Sequence, residues 1–187
     1  MELFADYPAK RFSTKEVILM AGELPGALFY LKRGNVAQYV DSHEGKELII
    51  HIYMPGALFP LSWGLNNEIP NFSLKAINTC EVTLVPKKDF EKLINERPEE
   101  LIKLTKNLAL GISGLAKRIE ILNFENAQTR VLSTLEYLRK HFGEKFQFTH
   151  EMLAALTGLT RERVSIEMKR LKDKKVLDYK RGVITLK

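Results

Sequence analysis

Residues 148–173 read Phe148-Thr149-His150-Glu151-Met152-Leu153-Ala154-Ala155-Leu156-Thr157-Gly158-Leu159-Thr160-Arg161-Glu162-Arg163-Val164-Ser165-Ile166-Glu167-Met168-Lys169-Arg170-Leu171-Lys172-Asp173. Two helices are predicted here, one ending at Gly158 and one running from Arg161 to about Asp173. Thr149 and Thr160 each stand where an N-cap hydroxyl belongs. A small residue at 154, glycine four later and a β-branched residue at 164 is the spacing of a helix-turn-helix. Ala154 lets the helices cross closely, and Gly158 turns the chain with positive φ. Val164, Met168 and Leu171 give the second helix a buried face, which leaves Arg161, Glu162, Ser165 and Lys169 pointing outward. Downstream, Val176-Leu177-Asp178-Tyr179, Lys180-Arg181-Gly182 and Val183-Ile184-Thr185-Leu186 read as a β-hairpin, the wing of a winged helix.

A helix of this kind fits the major groove of double-stranded DNA, with side chains near its N-terminus at base edges. Arginine donates bidentately to guanine, and glutamate accepts from cytosine N4. The candidate base readers are Arg161, Glu162, Ser165 and Ile166. Thr149, His150, Thr160, Lys169, Lys180 and Arg181 are the candidate phosphate contacts, aided by the two helix N-termini. Charge agrees. Residues 1–125 hold 15 Lys/Arg and 16 Asp/Glu, whereas residues 126–187 hold 14 against 7. The excess positive charge lies in the last third, which points to a polyanion at one end only. The rival readings are a solvated lysine-rich surface, or a winged helix that contacts protein.

Upstream, Pro98-Glu99-Glu100 opens a long helix, since proline and acids both suit a first turn. Leu101, Leu108, Ile112, Leu115, Ile119 and Leu122 follow at spacings 7, 4, 3, 4 and 3, with Thr105 interrupting. That is a heptad seam, narrower than a core-facing stripe. It packs on the chain's own sheet or against a second copy, and the dimer is the expectation. Gly111 and Gly114 either permit close approach or mark a bendable point. Asn126 caps the next helix, through Leu138, and Gly143 ends it.

The first ~90 residues read as short strands. They include Ala27–Leu31, Asn35–Val40, Leu48–Tyr53 and Thr79–Val85, and Gly22, Gly34, Gly45 and Gly56 punctuate them at intervals of 11–12 residues. Regular corner glycines suggest a rolled antiparallel sheet. Pro86 breaks the pattern before a short helix over Lys88–Ile94. The apolar stretch Leu58-Phe59-Pro60-Leu61-Ser62-Trp63 either fills the roll or lines an apolar effector pocket, and filling is the expectation. Leu58, Phe59, Leu61 and Trp63, with Leu115, are the pocket candidates. Cys80 is expected to be a buried small hydrophobe, and His51 a solvent-facing strand residue.

Composition narrows the function. The chain has 187 residues, 45% hydrophobic and 28% charged, with one cysteine. That excludes an intrachain disulfide framework and a self-contained four-cysteine zinc or iron–sulfur site. No apolar run spans a membrane, and no signal peptide opens the chain, so a cytoplasmic protein is expected. An enzyme reading needs a metal-binding His-x-His pair in the roll, but His51 is followed by Ile52 and Tyr53. No nucleophile–base set stands out. No catalytic residue, metal or cofactor is expected.

With these residues in hand, nearly the whole chain resembles the Crp/Fnr superfamily of bacterial transcription factors. The resemblance rests on the glycine-punctuated roll, Tyr30-Leu31-Lys32-Arg33-Gly34-Asn35-Val36, Glu44-Gly45-Lys46-Glu47, the heptad helix, and above all Leu159-Thr160-Arg161-Glu162-Arg163-Val164-Ser165. It implies an α+β protein in three parts. Residues 1–97 form an antiparallel, jelly-roll-like β-roll of the cyclic-nucleotide-binding type, which senses an effector. Residues 98–125 form a dimerisation helix, and 126–187 a winged helix-turn-helix that reads a palindromic half-site. It implies a homodimer and RNA polymerase as a partner.

The departures from the family are specific. Family members usually carry a helical segment before the roll, of which a stub remains near Leu3-Phe4. The cyclic-nucleotide subset has Gly-Glu in a phosphate loop and Arg-Ser further on; Pro60-Leu61 and Pro70-Asn71 stand there. Polar residues that contact adenine correspond to Leu115-Ala116. Lys75 is the nearest spare cation in the chain. Oxygen-sensing members need several N-terminal cysteines, absent here, and haem-sensing members a roll histidine with better support than His51. A common recognition-helix arginine is Ile166. Cyclic AMP and an iron–sulfur cluster are therefore disfavoured, and the effector is another ligand or none.

Overall fold

A computed structural model describes residues 4, 7–180 and 182–187. Leu3 and Arg181, both invoked above, lie outside them. The chain divides into two compact units, 1–41 with 49–112 and 42–48 with 113–187.

The first part of the chain runs β1 (Ala9–Phe12), β2 (Val17–Leu19), β3 (Leu28–Arg33), β4 (Val36–Asp41), β5 (Glu47–Tyr53), β6 (Leu58–Phe59), α1 (Leu61–Asn66), β7 (Ser73–Ala76), β8 (Cys80–Val85) and α2 (Lys87–Glu96). Its strands make two four-stranded sheets, β1-β8-β3-β6 and β2-β7-β4-β5. Tyr30 pairs with Thr83 in the first, and Gln38 with Leu74 in the second. Both sheets send side chains into one core that includes Phe12, Leu31 and Val82 from the first and Leu19, Val36 and Leu74 from the second. The predicted roll is therefore present. All four corner glycines, Gly22, Gly34, Gly45 and Gly56, have positive φ. Gly34 is also sterically required, because a Cβ there would sit 2.4 Å from the Thr79 carbonyl oxygen.

The apolar stretch 58–63 divides its side chains between two clusters. It is β6, a cis Phe59–Pro60 peptide and the start of α1. Phe59 is buried in the inter-sheet core. Trp63 packs with Phe4, Leu28, Val85 and Phe90, and Leu58 and Leu61 border that cluster. Leu28 approaches Gly64 so closely that a Cβ there would meet it at 2.7 Å.

The rest comprises α3 (Pro98–Phe124), α4 (Ala127–Phe142), β9 (Lys145–Gln147), α5 (His150–Thr157), α6 (Arg161–Asp173), β10 (Leu177–Lys180) and β11 (Val183–Leu186). α3 is one 27-residue helix with no buried residue. Thr105, which interrupts the seam, turns its hydroxyl back to the Leu101 carbonyl at 2.9 Å. The break before α4 falls at Asn126, whose side chain accepts from the Thr129 amide. Helices α4, α5 and α6 bury Val131, Leu135, Leu153, Val164 and Met168. The wing has a third strand that the sequence reading assigned to no element: β9 pairs with β11, giving the order β10-β11-β9.

Candidate nucleic-acid interface

The helix pair is held by the predicted local devices. The Thr149 hydroxyl accepts from the Met152 amide at 3.1 Å, and Thr160 accepts from Arg163 at 3.2 Å. Both residues have extended backbone, as an N-cap requires. Gly158 sits in the left-handed region at φ 66°. Ala154, Val164, Met168 and Leu171 are buried between the helices and the wing. The apolar positions of α6 thus turn inward, and its first turn presents charge to solvent.

Arg161, Glu162 and Lys169 are exposed on α6, as is Ile166. Ser165 is half-buried: its hydroxyl donates to the Arg161 carbonyl at 2.9 Å and lies 2.8 Å from His150 Nδ1. The His150 ring meets Tyr179 of β10 edge-on, with centroids 5.4 Å apart. Arg161 Nε lies 3.8 Å from Glu151 Oε2. Arg161, Ser165 and His150 therefore form one cluster across α5, α6 and the wing. Burial, and secondarily the Arg161 charge, hold the His150 imidazole below the usual histidine range. Lys180 is exposed at the end of β10. Near the end of α6, Lys172 reaches the wing: it bonds Asp178 at 2.6 Å and lies over the Tyr179 ring at 5.1 Å. That bond raises the lysine pKa and lowers the aspartate pKa.

Sequence reading missed Glu167. It is fully buried on α6, between two exposed arginines. Its Oε1 receives Arg163 Nη2 at 2.9 Å and Arg170 Nη1 at 3.0 Å. An acid with arginines four residues before and three after it is the helical ion-pair pattern, and that signal was available. Its burial was not, because it depends on what packs over the helix.

On α3, Leu101 and Leu108 are about 40% exposed, Ile112 67% and Ile119 62%, while Leu115 and Leu122 are half-buried. A Cβ at Gly111 or Gly114 would meet nothing within 4 Å. Of the pocket candidates in the roll, Leu58, Leu61 and Trp63 share a cluster, and Phe59 lies in the inter-sheet core. Lys75 is not spare, since its ammonium lies 4.5 Å from the centre of the Tyr39 ring. His51 is half-buried rather than solvent-facing, edge-on to Tyr53 at 4.7 Å. Cys80 is buried, with its thiol on the Asn35 and Asn78 carbonyls. Among the described residues, no three His, Cys, Asp or Glu side chains gather to hold a metal, and no helix is long and apolar enough to cross a membrane.

Comparison with known proteins agrees with this architecture. Residues 9–97 match the cyclic nucleotide-binding domain model, and residues 129–187 the Crp-like helix-turn-helix domain model. The chain is 28% identical over 176 residues to the cAMP-activated global transcriptional regulator CRP of Pasteurella multocida, covering 89% of this chain and 84% of that protein. It is 29% identical over 171 residues to the cyclic AMP receptor protein of Thermus thermophilus, covering 91% and 79%. The fold superposes on the c-di-GMP responsive regulator CLP of Xanthomonas campestris with a TM-score of 0.85 at 18% identity, covering 98% and 95%. A nucleotide-binding-type roll, a long helix and a Crp-like helix-turn-helix in this order place the chain in the Crp/Fnr superfamily of DNA-binding transcription regulators.

Proposed function

We propose that this protein is a cytoplasmic homodimer that reads a palindromic operator, regulates transcription in contact with RNA polymerase, and does not respond to cyclic AMP. The observation that carries the reading is the capped helix α6. Its apolar side is sealed against α4, α5 and the wing, and Arg161, Glu162, Ile166 and Lys169 face solvent. Arg161, Glu162 and Ile166 read base edges; Ser165 orients the His150 ring through its 2.8 Å contact and adds a hydroxyl at the groove. Thr149, His150, Thr160, Lys169, Lys180 and Arg181 meet phosphates. The seam of α3 joins the two copies, which sets half-sites one helical turn or a multiple apart. This is a regulator, not an enzyme. Binding-site selection with the full-length protein should return a two-fold symmetric sequence, and a random pool would overturn the proposal.

The effector reading rests on charge. A cyclic phosphate entering a protein pocket needs a cation or several N–H donors to replace lost water. Pro60, Leu61 and Pro70 stand at the positions of the family's phosphate glycine, ribose glutamate and phosphate arginine. Proline offers neither charge nor N–H. Trp63 and Leu61 pack as core, which supports a filled roll rather than an apolar pocket. Calorimetry with cyclic AMP and cyclic GMP to ~1 mM, which detects roughly −4 kcal/mol binding, should give no saturable heat. Saturable binding in the roll would overturn this part alone.

A further inference from the structure

Glu167 is a buried carboxylate in the middle of the candidate DNA-reading helix. We propose that it is a positioning residue, which holds Arg163 and Arg170 as a preset pair of phosphate contacts on one flank of α6. The inference deepens the DNA-binding reading and rests on it.

The geometry starts from the helix period of about 100° per residue. Glu162, Ile166 and Lys169 then share the outward face. Arg161 and Ser165, with His150 beyond them, lie to one side. Arg163, Glu167 and Arg170 fall within roughly 60° of each other on the other side. A helix in the major groove turns its outer face to the bases and its two flanks to the two phosphate strands. The flank of Arg163 and Arg170 therefore meets the strand opposite the one met by the His150 flank.

The buried acid gives that flank its order. Glu167 has no exposed surface, while the arginine side chains are 48% and 56% exposed. Both guanidinium groups are tied to the same oxygen, Oε1. The other oxygen, Oε2, is buried and has no partner among the described residues. A guanidinium has five donors in a fixed fork. Each arginine can thus keep one N–H on the carboxylate and turn the others to a phosphate. The free Oε2 lets either group shift without leaving the acid. A buried carboxylate is costly unless charge and hydrogen bonds meet it, so the arginines are anchored rather than free to sweep the surface. Two long side chains fixed before DNA arrives lose less freedom on binding.

The test uses the full-length protein, the duplex recovered by selection with the wild type, and a scrambled duplex of the same length, followed by fluorescence anisotropy over a salt series. Arg163→Ala and Arg170→Ala should each flatten the dependence of log affinity on log salt by about 0.9 per half-site. Glu167→Gln keeps both cations and one acceptor oxygen but removes the charge that anchors them. It should bind the scrambled duplex as well as the wild type does and lose about tenfold on the selected one. That loss should vanish when both arginines are already alanine. If Glu167→Gln lowers only the melting temperature and discrimination is intact, the residue is structural and the inference is wrong. If the arginine variants keep the wild-type slope, the flank does not meet phosphates, which also overturns it and requires no folded Glu167 variant. If wild-type selection enriches no sequence, the DNA reading itself has failed and takes this inference with it.

Discussion

Helices α3 and α6 both turn a face to water, and the two faces are chemical opposites. α3 exposes Leu101, Leu108, Ile112 and Ile119 and buries nothing fully along its length. α6 buries Val164, Met168 and Leu171 and exposes arginine, glutamate and lysine, with Ile166 as its one exposed large aliphatic. A heptad of open aliphatic side chains gains by meeting its own kind, at about 25 cal/mol per Å² removed from water. A face of arginine, glutamate and lysine gains nothing from that, but it matches phosphates and base edges. One helix suits a second copy of the chain, and the other suits a polyanion.

The strongest way to break this comparison is to make α3 resemble α6. Ile112→Glu with Ile119→Glu places two acids in each copy of the seam, where they would face each other. Sedimentation should show a monomer, and operator affinity should fall at least ~100-fold, because two linked half-sites bind far more tightly than one. Both side chains are exposed in the single chain, so its melting should change little. A wild type that sediments as a monomer at tens of micromolar would refute the seam.

Next in size is readout by α6. Arg161→Ala should cost ~1–3 kcal/mol against the selected operator and relax the choice at one base pair. Lys169→Ala should weaken all sequences alike and reduce the salt dependence. Ile166 can touch a thymine methyl but cannot hydrogen-bond guanine, so selection should return a position tolerant of thymine opposite it. Ile166→Arg should shift that position toward guanine. An invariant guanine selected there by the wild type would contradict the assignment.

The same contrast explains what could be read in advance. Thr149, Thr160 and Asn126 were legible as caps because a cap is a local event within four residues. The outward face of α6 and the seam of α3 were legible because helical period sorts side chains by direction. The corner glycines revealed the roll. Short strands escaped: β1, β2, β6 and β7 have only two to four residues, too few for alternation to show. Residues 58–63 carry no period, and their division between two clusters depends on Leu28 and Phe90, which are distant in sequence. Glu167 escaped for the same reason. Arginines stand four residues before it and three after, and only the packed helices reveal that it is buried.

A smaller effect tests the caps that present α6. Thr160→Ala removes the acceptor for the Arg163 amide and should cost about 1 kcal/mol of stability in the helical unit. Thr149→Ala should cost a similar amount through the Met152 amide. Thermal melting checks both. Thr160→Asp should recover most of the stability, since aspartate also caps. It should still weaken DNA binding, because it brings a negative charge to the phosphates. Recovery of both properties would mean that Thr160 acts only as a cap.

The smallest expected effect is a pH dependence through His150. The groups around it are Ser165 and Arg161 on α6, Tyr179 on β10 and the neighbouring Glu151. Burial and then Arg161 lower its folded pKa below the usual ~6.5. Between the two values the unfolded chain binds more protons than the folded one, so stability rises with pH. The contribution is complete above ~6.5 and is lost as pH falls from there through the folded pKa. DNA reverses the sign. A phosphate beside His150 would favour the imidazolium, so the complex would take up a proton on binding. Operator affinity should therefore rise as pH falls through 6.5, by no more than about a few-fold, while the free protein melts earlier. His150→Gln should remove both trends. Affinity that stays flat in the wild type from pH 8 to pH 5.5 would show that the His150 flank of α6 does not meet a phosphate.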